Sequence, residues 1–289
     1  MSDAAIPVLP HVRVLRERYA VWLCDVWGVV HNGVRPFASA VEALIAFRRT
    51  GGRVVLLTNA PRPMPPVLRQ LAKIGVPDQA FDLVVTSGDA TRSRLRELGA
   101  TPVLHIGPRR DRALFADLGL NLAEPGDAEI VLCTGLNDES KEVSAYGKLL
   151  DELKRRGAAL LCANPDIVVD RAGTLVPCAG ALAQAYELIG GRVAYFGKPH
   201  APIYDLAMAR LADIMDYPPR RDEILAIGDG LKTDMDGAAD AGFDALFIAA
   251  GIHLGEIGGA QGGIDSERLA GLFAGARRAP VAAQHMLAW

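Results

Sequence analysis

Trp22-Leu23-Cys24-Asp25-Val26-Trp27-Gly28-Val29-Val30-His31-Asn32-Gly33 is the stretch that decides how the rest of the chain is read. An apolar run reaches one carboxylate, and the chain then turns through Gly28 and Gly33 into polar residues. Such a run predicts a buried β-strand, with the first charge past it sitting at the strand's end. In open parallel α/β sheets, ligands bind outside the carboxyl ends of the strands. Asp25 is therefore a candidate site residue, the structural alternative being an Asp that caps a turn.

The residues after Gly33 repeat this logic. A helical pattern places Val41, Leu44 and Ile45 on one face and ends with Arg48, Arg49 and Gly51-Gly52, a stop signal. Arg53-Val54-Val55-Leu56-Leu57 then reads as a second buried strand running into Thr58-Asn59. Strand, helix, strand at this spacing is a βαβ unit with parallel strands, which brings Asp25 and Thr58-Asn59 to one sheet edge. Pro61, Pro63, Pro65 and Pro66 precede a helix over 67–74, a third strand spans Phe81 to Thr86, and Ser87-Gly88-Asp89 opens a helix through Leu98.

A second series occupies residues 101–179. Strands are expected at 103–106, 130–133 and 159–162, helices at 110–118 and 140–156, and turns at Asn164-Pro165-Asp166 and Arg171-Ala172-Gly173. The strands Val193–Phe196, Ile224–Ile227 and Ala245–Ile248 then resume the first pattern. The fold expected is α/β: a doubly wound, Rossmann-like parallel-sheet core of residues 1–86 and 180–289, with a smaller α/β cap domain inserted at 87–179. A short helix near Pro10 to Tyr19 leads in. The Gly- and Ala-rich tail from Gly251 holds a short helix near 266–275 and no readable chemistry.

Composition bounds the function. The chain has 289 residues, 50% hydrophobic and 22% charged, enough for about two domains. A net charge of −3 and a pI near 6.1 argue against a general nucleic-acid or anionic-membrane binder. No apolar run approaches the roughly 20 residues of a membrane span, and the N-terminus lacks the pattern of a secretory signal. Cys24, Cys133, Cys162 and Cys178 form no CxxC pair and no zinc spacing, so a reduced, cytoplasmic location is expected. No GxGxxG follows the first strand, which counts against dinucleotide binding.

The polar residues at strand ends are Asp25, Thr58, Asn59, Lys198, Asp229 and Asp234. Several carboxylates at one edge suit Mg²⁺, a hard cation held by one or two carboxylates plus substrate phosphate. A hydroxyl, an amide and an ammonium supply donors for phosphate oxygens, and a carboxylate can accept a phosphoryl group as nucleophile. The structural alternative makes Asp229 and Asp234 turn and cap residues and Lys198 a solvated charge.

The order of these motifs resembles the haloacid dehalogenase-like (HAD) hydrolases, in the class with a large α/β cap between motifs two and three, which includes the NagD-type sugar phosphatases and 4-nitrophenylphosphatases. Asp25-Val26-Trp27-Gly28-Val29 looks like motif one, Leu56-Leu57-Thr58-Asn59 like motif two, Gly197-Lys198-Pro199 like motif three, and Gly228-Asp229 through Thr233-Asp234 like motif four. Asn164-Pro165-Asp166 also resembles this class. The resemblance implies a Mg²⁺-dependent phosphatase acting on a small phosphorylated substrate. Asp25 would be nucleophile and metal ligand, with the Trp27 carbonyl and Asp229 as further ligands and Asp234 behind them. Thr58 and Asn59 would hold the phosphoryl group, Lys198 would balance its charge, and the cap would select the leaving group. Exposed cap surfaces would suit a homodimer.

One position departs from the family pattern. Two residues after the nucleophile the family has an Asp that serves as general acid and then base, and here Trp27 stands. An indole N–H donates a hydrogen bond but shuttles no proton. General acid–base help is worth about 10²–10⁴-fold. Two readings follow: a phosphatase that is slow or restricted to good leaving groups, with His31 as a stand-in acid, or a low-turnover binding or regulatory protein that keeps the metal and phosphate sites.

Overall fold

The computed structural model describes residues 5–171, 174–251, 253–258 and 263–289. In chain order the first elements are β1 (Val21–Asp25), α1 (Ala38–Arg49), β2 (Arg53–Thr58), α2 (Met64–Ile74), β3 (Leu83–Thr86) and α3 (Ser87–Leu95). They are followed by β4 (Val103–Ile106), β5 (Ile130–Cys133), α4 (Gly147–Arg156), β6 (Ala159–Cys162), β7 (Val168–Arg171), β8 (Thr174–Pro177), α5 (Ala179–Leu188) and β9 (Arg192–Tyr195). The last are α6 (Ala201–Ala212), β10 (Ile224–Gly228), α7 (Asp236–Ala241), β11 (Asp244–Ile248), α8 (Leu254–Ile257), α9 (Ser266–Phe273) and β12 (Ala282–Gln284). The chain divides into two compact units, Met1–Thr58 with Leu68–Val84 and Tyr204–Trp289, and Asn59–Val67 with Val85–Ile203.

The first unit is built on a six-stranded sheet in the order β12-β11-β10-β1-β2-β3. β1 runs parallel to both β2 and β10, and β11 runs parallel to β10 and β12. Every residue of β1 and β10 is buried, as expected for apolar central strands covered on both faces. The chain winds outward from β1 through β2 to β3, then returns to the other side of β1 through β10, β11 and β12. The strand order therefore reverses between β1 and β10, the switch point at which doubly wound sheets bind ligands. Trp22 stacks on Phe47 of α1, with ring centroids 3.9 Å apart and 3° between planes, fastening helix to strand.

The second unit carries a four-stranded parallel sheet, β4-β5-β6-β9. Here the expectation that Val193–Phe196 resumes the first sheet is corrected: β9 pairs with β6, Leu160 opposite Val193 and Cys162 opposite Tyr195. A four-residue run of mixed burial carries no signal of which sheet it joins. Leu153, Leu160, Cys133, Cys162, Leu182 and Tyr186 form its core, and the Tyr186 hydroxyl donates to Ala158 O at 2.7 Å.

Other local differences have simple causes. Residues 109–114 form a 3-10 turn in place of the helix expected at 110–118; Arg109-Arg110-Asp111-Arg112 offers no apolar face. The helix expected at 140–156 is a 3-10 turn at Val143–Tyr146 followed by α4. The lead-in helix shrinks to Val12–Leu15. β7 and β8 pair antiparallel; of the turn expected between them, Ala172 and Gly173 lie outside the described residues. β12 makes the tail part of the first sheet, and of that tail residues 252 and 259–262 lie outside the described residues. No helix among the described residues is long and apolar enough to cross a membrane.

Candidate active site

Three carboxylates converge at the switch point of the first sheet. Asp25 ends β1 and faces Leu57 across the β1–β2 ladder, so Thr58 follows one residue further out. Cys24 faces Ile227 on the other side, which sets Gly228 level with Asp25 and Asp229 just beyond. Asp234 lies on a one-turn π-helix, Leu231–Met235, that leaves the β10 loop. All three are buried, between 5% and 7% exposed. Each offers an oxygen within 4.8 Å of those of the other two.

The surroundings of these acids test whether a cation fits. Three buried carboxylates this close repel unless positive charge lies among them. Their hard oxygen donors match Mg²⁺ or Ca²⁺. The backbone leaves room for Asp229 in particular: a Cβ at Gly28 would lie 2.4 Å from Asp229 Oδ2, and one at Gly251 would lie 1.8 Å from it. Asp234 is held from behind, since Gly230 N donates to its Oδ2 at 3.0 Å and Thr233 Oγ1 does so at 3.4 Å. The carboxylates thus fit a divalent cation. The contribution of Gly251 escaped the sequence reading, whose only signal for it was a glycine soon after the apolar run 244–248.

The loop after β1 is compact. Gly28 and Gly33 adopt φ of +89° and +85°, conformations that L side chains rarely take. The Trp27 ring covers Gly33, where a Cβ would meet Cη2 at 2.4 Å. Trp27 also meets His31 edge to face at 5.3 Å. His31 is 2% exposed, and its Nδ1 accepts the Gly33 N–H at 3.0 Å. Burial pushes its imidazole down to about 4, outweighing a backbone hydrogen bond that raises it. A buried, neutral imidazole whose Nδ1 is already engaged is a structural member of the loop, and the expectation that His31 stands in as acid is corrected.

The second unit holds its own polar cluster. Asn59 Nδ2 donates to Asp166 Oδ1 at 2.8 Å and to Lys198 O at 3.2 Å, while Asn59 Oδ1 accepts the Lys198 N–H at 2.7 Å. Asn59 and Lys198 are both buried. The Asp166 loop is shaped by an Asx turn, its N–H bonded to Asn164 Oδ1 at 3.1 Å. The side-chain amide of Asn59 is thus committed to this clamp, a role not visible in the sequence, although Asp166 was marked there by its motif. At the carboxyl ends of β4 and β5, His105 Nε2 lies 3.0 Å from Thr134 Oγ1. Buried Asp111 has its carboxyl pushed up to about 6 by desolvation, against Arg110, Arg62 and Thr134, which pull it down.

Comparison with known proteins fits this geometry. The family model for haloacid dehalogenase-like hydrolases matches residues 22–121, and a second, HAD-hydrolase-like model matches residues 195–261. A haloacid dehalogenase-like hydrolase of known structure from Brucella suis is 42% identical, superposing with a TM-score of 0.85 over 96% of this chain and 100% of that one. The ribonucleotide monophosphatase NagD of Escherichia coli K12 is 26% identical over 80% of this chain and 87% of its own length. The glycerol phosphate phosphatase of Mycobacterium tuberculosis, solved in complex with magnesium, is 26% identical with a TM-score of 0.63, over 82% of this chain and 70% of that one. The chain belongs to the haloacid dehalogenase-like family of hydrolases. Its relatives with named activities here are phosphatases, and phosphatase is the enzyme class that the family and these relatives support for it.

Proposed function

We propose that the enzyme is a Mg²⁺-dependent phosphatase that hydrolyses a small phosphorylated substrate through an aspartyl phosphate on Asp25, slowly because Trp27 stands where a proton donor is expected. The observation that carries this reading is the convergence of Asp25, Asp229 and Asp234 at the switch point of a parallel sheet. The Asp25 carboxylate attacks phosphorus. Asp25, Asp229 and the backbone carbonyl of Trp27 would hold the cation, with Asp234 behind them. When bound, Mg²⁺ would offset the negative charge gathering on the phosphoryl oxygens. Thr58 and the backbone N–H of Asn59 donate hydrogen bonds to the phosphoryl oxygens, Lys198 adds the compensating charge, and the inserted segment expected at 87–179 selects the leaving group. The names of the relatives, an acid sugar phosphatase and a ribonucleotide monophosphatase among them, favour a small phosphorylated substrate. Four buried cysteines outside any disulfide accord with a cytoplasmic location.

Trp27 also favours a second reading, a low-turnover protein that binds phosphorylated ligands. Phosphate release from 4-nitrophenyl phosphate, with and without Mg²⁺, separates the two. Turnover that Mg²⁺ supports and Asp25→Asn abolishes establishes the phosphatase. Binding of Mg²⁺ and phosphate with no release across a broad ester panel establishes the binder.

A further inference from the structure

We infer that the preferred substrate is a phosphoryl donor whose leaving oxygen departs as a stabilised anion, above all an acyl phosphate, in place of an alkyl phosphate ester; this rests on the aspartyl-phosphate reading above. The carrying observation is that the loop after β1 has no side chain to protonate a leaving group. Trp27 fills the position two residues past Asp25, its ring turned onto Gly33 and against His31. His31 is buried with Nδ1 engaged by Gly33 N–H. Asn32 Oδ1 accepts from Val34 N and Arg35 N.

Chemistry then selects the substrate. An alkyl ester must expel an alkoxide, whose conjugate acid has a pKa near that of water, about 15.7, unless a proton arrives with bond cleavage. An acyl phosphate expels a carboxylate, with a pKa of about 4, and needs no proton. When an Asp25 oxygen forms its bond to phosphorus, the bond from phosphorus to the leaving oxygen breaks, and the electron pair leaves on the product carboxylate. One carboxylate is exchanged for another, and charge balances without proton transfer. In the second half, water attacks phosphorus, the electron pair returns to Asp25, and the water's two protons go to the phosphate product and to solvent. Asp25 is itself a carboxylate leaving group, so this half lacks only a base to activate the water. That makes it the slow half, and the aspartyl phosphate accumulates.

The test compares kcat/KM with Mg²⁺ for acetyl phosphate, 4-nitrophenyl phosphate, phenyl phosphate and glycerol 3-phosphate, after subtracting spontaneous hydrolysis. The expected result is a steep decline along the series, at least about 10²-fold from first to last, with a burst of released acetate in the first turnover. Trp27→Asp should narrow that decline by raising the rate on glycerol 3-phosphate. Glycerol 3-phosphate hydrolysed within a few-fold of acetyl phosphate would overturn the inference while leaving the phosphatase reading intact. An undiminished gap in a folded Trp27→Asp protein would overturn it as well; should that variant not fold, the wild-type series decides. No phosphate release from any of the four would overturn the phosphatase reading itself.

Discussion

Asn59 grips Lys198 from both sides of its peptide, accepting from its N–H at 2.7 Å and donating to its carbonyl at 3.2 Å, while the same amide nitrogen reaches Asp166 at 2.8 Å. Few side chains can do this, because the clamp needs an acceptor and a two-proton donor on one short planar group. Asn59→Ala removes all these bonds and is expected to cost about 2–4 kcal/mol in urea unfolding, the bond to the Asp166 carboxylate weighing most. Asn59→Asp should be worse, since it sets a second carboxylate against Asp166. If Lys198 acts in phosphoryl transfer, kcat/KM falls by up to roughly 10²-fold in either variant. An Asn59→Ala protein with wild-type stability would refute the clamp.

The three converging acids give a signature that does not depend on turnover. Without a cation, Asp25, Asp229 and Asp234 repel at 4.8 Å or less, on the order of 3–4 kcal/mol per pair at an effective dielectric near 20. Asp229→Asn should therefore raise Tm in EDTA. Mg²⁺ at 100 times its Kd should stabilise the wild type by about 2.7 kcal/mol, and this gain should vanish in Asp229→Asn. Calorimetry with and without chelator reads both effects. A lower Tm for the variant in EDTA would contradict the crowding.

Trp27 and Gly33 should behave as one unit. Gly33→Ala forces a side chain into a left-handed conformation, about 1–2 kcal/mol, and also drives its Cβ into the indole. Trp27→Asp removes the second penalty but not the first. A double-mutant cycle by urea denaturation should thus give a coupling of about 1 kcal/mol or more, with Gly33→Ala milder in the Trp27→Asp background. Strict additivity would mean that the ring does not rest on Gly33.

Asp111 predicts a pH effect on stability. Its carboxyl is raised from 3.8 to about 6, chiefly by burial. The stability of the neutral form is full below 3.8 and lost as pH rises through about 6, above which a buried charge is retained. Asp111→Asn should accordingly raise Tm at pH 8 by several degrees relative to wild type and change it little at pH 3.5. The opposite ordering would show that Arg110 and Arg62 overcompensate burial.

Much of the fold is legible because central parallel strands are long apolar runs: Val21–Asp25, Arg53–Thr58 and Ile224–Gly228 announce themselves, and each hands its next polar residue to one edge. That is why Asp25, Thr58, Asp229 and Asp234 stand out in the sequence. The elements misread are those whose burial depends on a distant partner. β9 alternates exposed and half-buried positions, and β12 is Ala282-Ala283-Gln284, small residues with weak strand preference made a strand by β11. Ile167, Val168 and Leu175 stay exposed around the β7–β8 pair, so no core pattern marks it. Hydrogen-bond partners are less legible still: that Asn59 faces Lys198, 139 residues away, or that Trp27 lies on Gly33, is set by backbone conformation and not by residue type.

The tail has a practical consequence for anyone handling this protein. Trp289 packs against Trp22 of β1 at 6.2 Å, Gln284 Nε2 donates to the carbonyls of Pro10 and Ala288, and Ala288 O accepts the Val12 N–H at 2.8 Å. A substitution or bulky label at Trp289 would disturb the strand that presents Asp25, three residues beyond Trp22. A kinetic defect seen in such a protein would reflect this packing and not the loss of a catalytic group.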